Sequence, residues 1–248
     1  MKIIAYLCLF LTSLSAHAIV TVENLSLSSS NLGLNRQINI DINGSSGNTE
    51  KSDWRTGADL VWRAPKYINH LVLSYEYGES NQEANTNNSF IHARHIHQHN
   101  NTFDLEYFAQ VEKDEFARLN SRNLIGGGAR FATQRKGFLG LGAFYFEERL
   151  DQTTNPAEAL KDSGLRLNAY LSREYTYEDT TIFTARLYAQ PRANALDDVR
   201  ILFNASLKVA ITPNASIAIG LKSTHDSEPA TDVEKTNTSY TSGFEYRF

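Results

Sequence analysis

Between His92 and His99 the chain carries His92, Arg94, His95, His97 and His99 within eight residues. Neutral imidazole is a good ligand for zinc and nickel. On a β-strand, residues two apart share a face about 6.6 Å from one another. His95, His97 and His99 are therefore the candidate metal ligands. The same spacing at the end of a strand also gives a polar aromatic belt at a rim. That second reading is preferred, so no metal and no cofactor is expected. A second pair, His225 beside Asp226, sits in a stretch read as a polar loop. An acid–base pair for hydrolysis needs a nucleophile within reach, and no serine falls at a spacing that argues for a triad. The His-x-Ser-Asn-Gly element of membrane phospholipases is absent from the sequence. An outer-membrane hydrolase is thus the least supported function, and no enzymatic activity is expected.

The remaining charge is more informative, because it alternates with apolar residues. One set comprises Arg55, Asp59, Arg63, Glu76, Asp104, Glu106, Glu112, Arg122, Arg130 and Arg166, continuing with Glu174, Arg186, Arg200, Lys208, Lys222, Glu245 and Arg247. Their immediate neighbours form the opposite set: Ile38, Ile40 and Ile42; Trp54 to Trp62 by twos; Leu71, Leu73, Tyr75 and Tyr77; Phe103 to Val111 by twos; Leu165 to Leu171 by twos; and Ile217, Ile219 and Leu221. Period-two alternation is the signature of a strand with two different faces. No soluble core buries so many charges unpaired, whereas the hydrated interior of a membrane barrel does, and an outward Arg or Lys at mid-bilayer costs about 2–4 kcal/mol. The charged set is read as lumen-facing and the apolar set as lipid-facing.

The chain divides into a signal peptide at 1–18, an N-terminal segment at 19–35 and a barrel at 36–248. Lys2, an apolar run from Ile3 to Leu14 and the small-x-small site Ala16-His17-Ala18 have the form of a secretory signal. Cys8 lies inside that signal and is the single cysteine, so no disulfide, thiol chemistry or lipid anchor is expected. Loss of Lys2 leaves 23 basic against 28 acidic residues, a net charge of −5. This is no nucleic-acid footprint.

Twelve strands are expected, at 36–43, 52–63, 67–78, 88–99, 102–112, 120–132, 137–149, 163–176, 180–190, 198–211, 215–224 and 237–248. The fold class is all-β: a transmembrane antiparallel up-and-down barrel. Tight connections (64–66, 99–101, 134–136, 177–179, 212–214) alternate with long polar ones (43–51, 79–87, 113–119, 150–162, 191–197, 225–236), as periplasmic turns and outer loops do. Trp54 and Trp62 lie about 26 Å apart along one strand. They are assigned to the two membrane interfaces, with Tyr246 and Phe248 on the periplasmic side. Two strands carry apolar residues on both faces, Phe90 to His99 and Phe138 to Phe146, and their facing is left open.

Asn43-Gly44-Ser45-Ser46-Gly47-Asn48-Thr49, Asp114-Glu115-Phe116-Ala117-Arg118-Leu119 and Leu124-Ile125-Gly126-Gly127-Gly128 resemble the YdiY-like family of salt-induced outer-membrane proteins, which contain a domain of unknown function. The resemblance implies a barrel in the Gram-negative outer membrane and brings no activity or functional residues. The terminal aromatic strand resembles the closing strand recognised by the barrel assembly machinery, which is expected as a partner together with outer-membrane lipid and lipopolysaccharide. Acidic loops, including Glu79, Glu83, Asp151, Asp226, Glu228 and Asp232, suit hydration or divalent cations bridging that lipopolysaccharide. A monomer is expected. Two functions are carried forward: a narrow, weakly selective porin-like pore, since the lumen charges are of mixed sign, and a non-conducting envelope barrel closed by paired charges and inward aromatics such as Tyr170 and Tyr188.

Overall fold

A computed structural model describes residues 31–46, 50–100, 102–133, 136–151, 160–178, 180–212 and 215–246. Residues 1–30, on which the expected signal peptide and most of the expected N-terminal segment fall, residues 152–159 and the terminal Arg247 and Phe248 lie outside the described residues. Twelve strands follow one another: β1 (Gly33–Ser45), β2 (Lys51–Arg63), β3 (Tyr67–Ser80), β4 (Glu83–Gln98), β5 (Phe103–Asp114), β6 (Leu119–Thr133), β7 (Gly137–Leu150), β8 (Leu160–Tyr177), β9 (Thr181–Arg192), β10 (Ala195–Thr212), β11 (Ala215–Asp226) and β12 (Thr236–Tyr246). Each pairs antiparallel with its neighbours in chain order, giving one up-and-down sheet. All twelve expected strands are present, most of them longer at one or both ends.

Two expected long loops are corrected. Residues 79–87 and 191–197 are mostly strand, and only Asn81–Gln82 and Ala193–Asn194 separate β3 from β4 and β9 from β10. Asn81 and Gln82 both have positive φ, 51° and 67°, the backbone of the tight hairpin turn whose twist matches that of the strands. Polar composition here does not mean irregular backbone. It marks strands that run on into water instead.

Side-chain alternation fixes two faces. Along β4, Phe90, His92, Arg94 and Ile96 are buried and Ile91 is exposed; along β7, Phe144, Phe146 and Glu148 are buried while Leu139, Leu141 and Tyr145 are exposed. The two open strands are thereby settled, with their second apolar rows turned inward. The sheet curls so that its concave face meets itself. Tyr170 on β8 donates to Glu106 on β5 at 3.0 Å, and Arg200 on β10 reaches Glu148 on β7 at 2.9 Å. A cavity is lined jointly by β2 to β5 and β9 to β12. The order nevertheless runs from β1 to β12 with no ladder returning from β12 to β1 among the described residues. Among the described residues the up-and-down sheet is rolled as expected but is not closed into a ring. Alternation dictates which face is inward; closure depends on a shear between first and last strands, which alternation does not encode.

The concave face is a polar core. Arg130 and Arg166 are each 1% exposed and Glu106 1%, whereas Ile38 on the convex face is 69% exposed and Leu141 50%. This inverts the ordinary distribution, in which arginine and glutamate are almost never fully buried unless paired.

Candidate functional site

The interior holds charge in chains. Glu112, Arg122, Glu148, Arg200 and Asp226, from β5, β6, β7, β10 and β11, follow one another at 2.5, 2.7, 2.9 and 2.8 Å. Each arginine lies between two carboxylates and Glu148 lies between two arginines, so every charge is met by an opposite one. Desolvation alone would make these groups very costly, and burial is tolerated because the bonds are charge-assisted. A second chain joins Arg166 to Asp198 at 2.6 Å, and Arg192 bonds Asp162 through both guanidinium nitrogens at 2.8 Å. Phe146, fully buried, sits amid this lattice. The guanidinium carbons of Arg166, Arg192 and Arg200 approach its ring centroid to 5.2, 5.5 and 5.7 Å, within the range where a ring quadrupole attracts a cation.

At another level Arg130 bonds Asp104 at 2.9 Å and covers the Phe138 ring at 4.0 Å. Arg94 approaches Glu106 at 3.7 Å. Tyr170 and Tyr188 stack with centroids 5.1 Å apart and pack with Leu202. Room for this layer comes from glycines. A Cβ on Gly140 would lie 1.9 Å from the Tyr170 ring, and one on Gly126 would lie 2.5 Å from Phe144 Cβ and 2.8 Å from the Phe108 ring. Strands β6 and β7 are stripped of side chains where neighbouring aromatics occupy the interior.

The mouth on the long-connection side is covered. The β11–β12 connection folds across so that Ala230 and Val233 pack on Ala117, Leu119 and Leu150, while Arg118 meets Asp232 at 3.3 Å. Past Lys113, where the exposed apolar row of β5 ends, Asp114 accepts from the backbone N–H groups of Phe116 and Ala117 at 3.1 and 3.0 Å. Burial nonetheless pushes its carboxyl up to about 6, with the negative charge of Glu112 adding to the rise.

Beside these packed layers lies a cavity of about 390 Å³, whose lining includes Arg55, Glu76, Asn88, Asp114, Arg186 and Lys222. Arg55 bonds Glu76 at 2.5 Å.

A family model for proteins of unknown function, DUF481, matches residues 38–248. The chain belongs to the DUF481 family. No curated protein matches it. Among solved structures it is similar to the NanC porin (12% identity, TM-score 0.48, covering 85% of this chain and 100% of that one) and to the CymD monoaromatic hydrocarbon channel (11%, 0.46, 90% and 82%). It is also similar to the translocator domain of the autotransporter NalP from Neisseria meningitidis (12%, 0.47, 90% and 91%).

Of the charges assigned to the lumen, Asp104, Glu106, Arg122, Arg130, Arg166 and Arg200 are buried on the concave face of this DUF481 sheet. Arg55 and Asp59 lie there too, bonded to Glu76 and His70, and Arg186, Lys222 and Glu76 line the cavity. Glu174 meets Lys136 at 3.3 Å, and Arg63 and Lys208 fall on the same face by alternation. Glu245 stands opposite Ser216 in the ladder, its side chain outside the described part, as is that of Tyr246. Trp54 and Trp62 are both on the convex face, 40% and 60% exposed.

The histidine row divides. His95 and His97 lie on the convex face against Tyr67, at 5.7 and 5.2 Å, His95 bonds Asn69 at 2.8 Å, and His99 packs on Phe103 at 4.9 Å. Among the described residues no three potential ligands converge as a metal site requires. His225 and Asp226 belong to β11 rather than to a loop, and they part company: His225 bonds Thr236 at 2.8 Å and Asp226 turns inward to Arg200. Successive residues of a strand face opposite ways, so the pair cannot act together on one substrate.

Sequence reasoning missed Glu148, Asp198, Arg192, Asp226 and Arg94 as interior members. For Glu148 the signal was present: it keeps the parity of Phe144 and Phe146. Arg192 and Asp226 fall in stretches whose polar composition reads as loop but which are strand, and Asp198 begins an expected strand before its apolar alternation is established.

Proposed function

We propose that the chain is an outer-membrane β-barrel of the Gram-negative envelope whose interior is sealed by its own side chains and does not conduct. The membrane reading rests on the inverted distribution of polarity. A convex face bearing exposed Ile38, Ile40, Ile42, Leu141, Leu165 and Ile219 far exceeds the apolar patch a water-soluble monomer tolerates, and it suits lipid. The single observation that supports sealing is the buried chain from Glu112 to Asp226, which spans five strands with every charge paired. Water-filled pores keep such charges hydrated and apart. Outer-membrane lipid, lipopolysaccharide and the barrel assembly machinery are the partners this location brings. The narrower kinship with YdiY-like salt-induced proteins belongs to the same proposal.

A narrow pore is the second reading, favoured by the cavity of about 390 Å³. Planar-bilayer recording separates the two. The sealed barrel predicts a silent membrane from refolded protein, and reproducible single-channel steps from the wild type would refute it.

A further inference from the structure

One basic residue lies on the face that the interior lattice cannot use. Arg36 on β1 keeps the parity of Leu34, Ile38, Ile40 and Ile42, is exposed with them on the convex side, and makes no ion pair among the described residues. The ladders set Arg36 abreast of Leu60, Leu71, Ala93 and Ala109. Two residues nearer the short turns, a step of about 6.6 Å, the next row reads Leu34, Trp62, Asn69, His95 and Tyr107. At the two alanines the first row loses its side-chain height, and a groove of about 560 Å³ lies there, walled by Trp62, Tyr107 and Ile125. Asn69 and His95 line its short-turn end. His95 Nδ1 donates to Asn69 Oδ1 at 2.8 Å, so the amide N–H groups of Asn69 point elsewhere. Lys66 is exposed in the turn just beyond. Among the described residues no carboxylate faces this part of the convex side, since Asp104 and Glu106 turn inward.

We infer that this groove seats an acyl chain of an anionic glycerophospholipid, its phosphate held between Arg36 and Asn69 with Lys66 beside it. Strands β1 and β3 are two spacings apart, about 10 Å, which an extended arginine side chain and a phosphodiester together cover. A guanidinium on a lipid-facing strand is costly at the bilayer middle and tolerated near the interface, where its stem lies along apolar surface while its head reaches a phosphate. The head group follows from sign. Arg36 and Lys66 bring two positive charges, and no carboxylate is placed to take an ammonium group, so a phosphatidylglycerol-type lipid fits and a zwitterionic one does not. The groove adjoins the short turns, the periplasmic side of such a barrel, which sets it apart from lipopolysaccharide on the long-loop side. The inference rests on the outer-membrane reading and deepens it by naming the lipid and its place. It is indifferent to whether the interior conducts.

The test uses the full refolded chain in phosphatidylcholine vesicles as two single-tryptophan proteins. Trp54→Phe leaves Trp62 to report from the groove, and Trp62→Phe leaves Trp54 to report from the far end of β2. Brominated phosphatidylglycerol, phosphatidylethanolamine or phosphatidylcholine is titrated in as a contact quencher. Trp62 should be half-quenched by the phosphatidylglycerol at a mole fraction at least ~fivefold below that needed of the other two, the factor for one cation meeting an anionic lipid. Trp54 should show no head-group preference. In the Trp54→Phe background, Arg36→Gln should remove the preference, Arg36→Lys should keep it, and Ala93→Leu, which fills the groove floor, should lower it. Equal quenching of Trp62 by all three lipids, or a preference unchanged by Arg36→Gln, would overturn the site. Both substituted positions are on the convex face, so β circular dichroism should match the parent protein; if a variant does not fold, the head-group comparison in the parent decides alone. Failure of the underlying reading looks different. Quenching of neither tryptophan by any brominated lipid removes the membrane reading, whereas quenching of both without regard to head group removes only the lipid site.

Discussion

Replacing Glu148 tests whether the interior chain is held by charge balance. Glu112, Arg122, Glu148, Arg200 and Asp226 together carry three negative charges and two positive ones. In Glu148→Gln the two arginines keep Glu112 and Asp226, the chain becomes neutral, and the amide oxygen still accepts a hydrogen bond. The expected cost is that of one weakened bond to a charged group, about 1.5–3 kcal/mol. In Arg200→Met the remaining three carboxylates share Arg122 alone, and Asp226 loses the guanidinium it faces at 2.8 Å. Stranding buried charge in that way costs about 3–5 kcal/mol. The gap of about 2 kcal/mol corresponds to roughly a 30-fold difference in the ratio of folded to unfolded protein. Equilibrium urea unfolding in phosphocholine vesicles, followed by the emission of the convex-face Trp54 and Trp62, measures both variants. A Glu148→Gln protein as unstable as Arg200→Met would refute the charge-balance argument. Pairs this deeply buried are little screened by salt, so raising ionic strength should leave the gap in place.

Gly140→Ala places a methyl group on the Tyr170 ring. It should destabilise the protein by about 1–3 kcal/mol, as overpacking does, with a smaller loss in a Tyr170→Leu background measured by the same unfolding assay. Leu141→Arg, on the convex face, should cost about 2–4 kcal/mol in vesicles, and a neutral outcome there would argue against a lipid-facing β7. The pH dependence of Asp114 carries a definite sign. Its carboxyl is raised to about 6 in the folded protein, so the folded state holds the proton more tightly than the unfolded chain. That contribution is full below the unfolded carboxylate pKa and is lost as pH rises through about 6. Wild-type stability should therefore fall over this interval, and Asp114→Asn should flatten the slope in urea titrations at successive pH values.

Much of the architecture could be read from the chain because one rule, alternation, operates almost everywhere. Trp54 and Trp62 share a parity, Arg55 and Asp59 share the other, and the sheet keeps both. The rule failed in two physical situations. Where strands leave the apolar belt, as in β3 and β4 around Asn81, both faces are polar and composition stops distinguishing strand from loop. In β7 both rows are apolar, and the decision depends on Gly140, whose missing side chain makes room for Tyr170, and on Gly142, which lets the β6 backbone at Gly127 and Gly128 approach closely. Such a complement is a tertiary fact. The pairing of Arg166 with Asp198, Arg200 with Glu148 and Tyr170 with Glu106 was equally invisible, since it depends on which strands the curl brings opposite one another.

The glycines of β6 and β7 have an evolutionary corollary. A side chain can appear at Gly140 only if the ring of Tyr170 shrinks or swings away, and at Gly126 only if Phe108 and Phe144 yield. Each half of such an exchange costs stability on its own, so these positions should drift as linked sets among relatives, with lineages that lose the glycines also losing the aromatics.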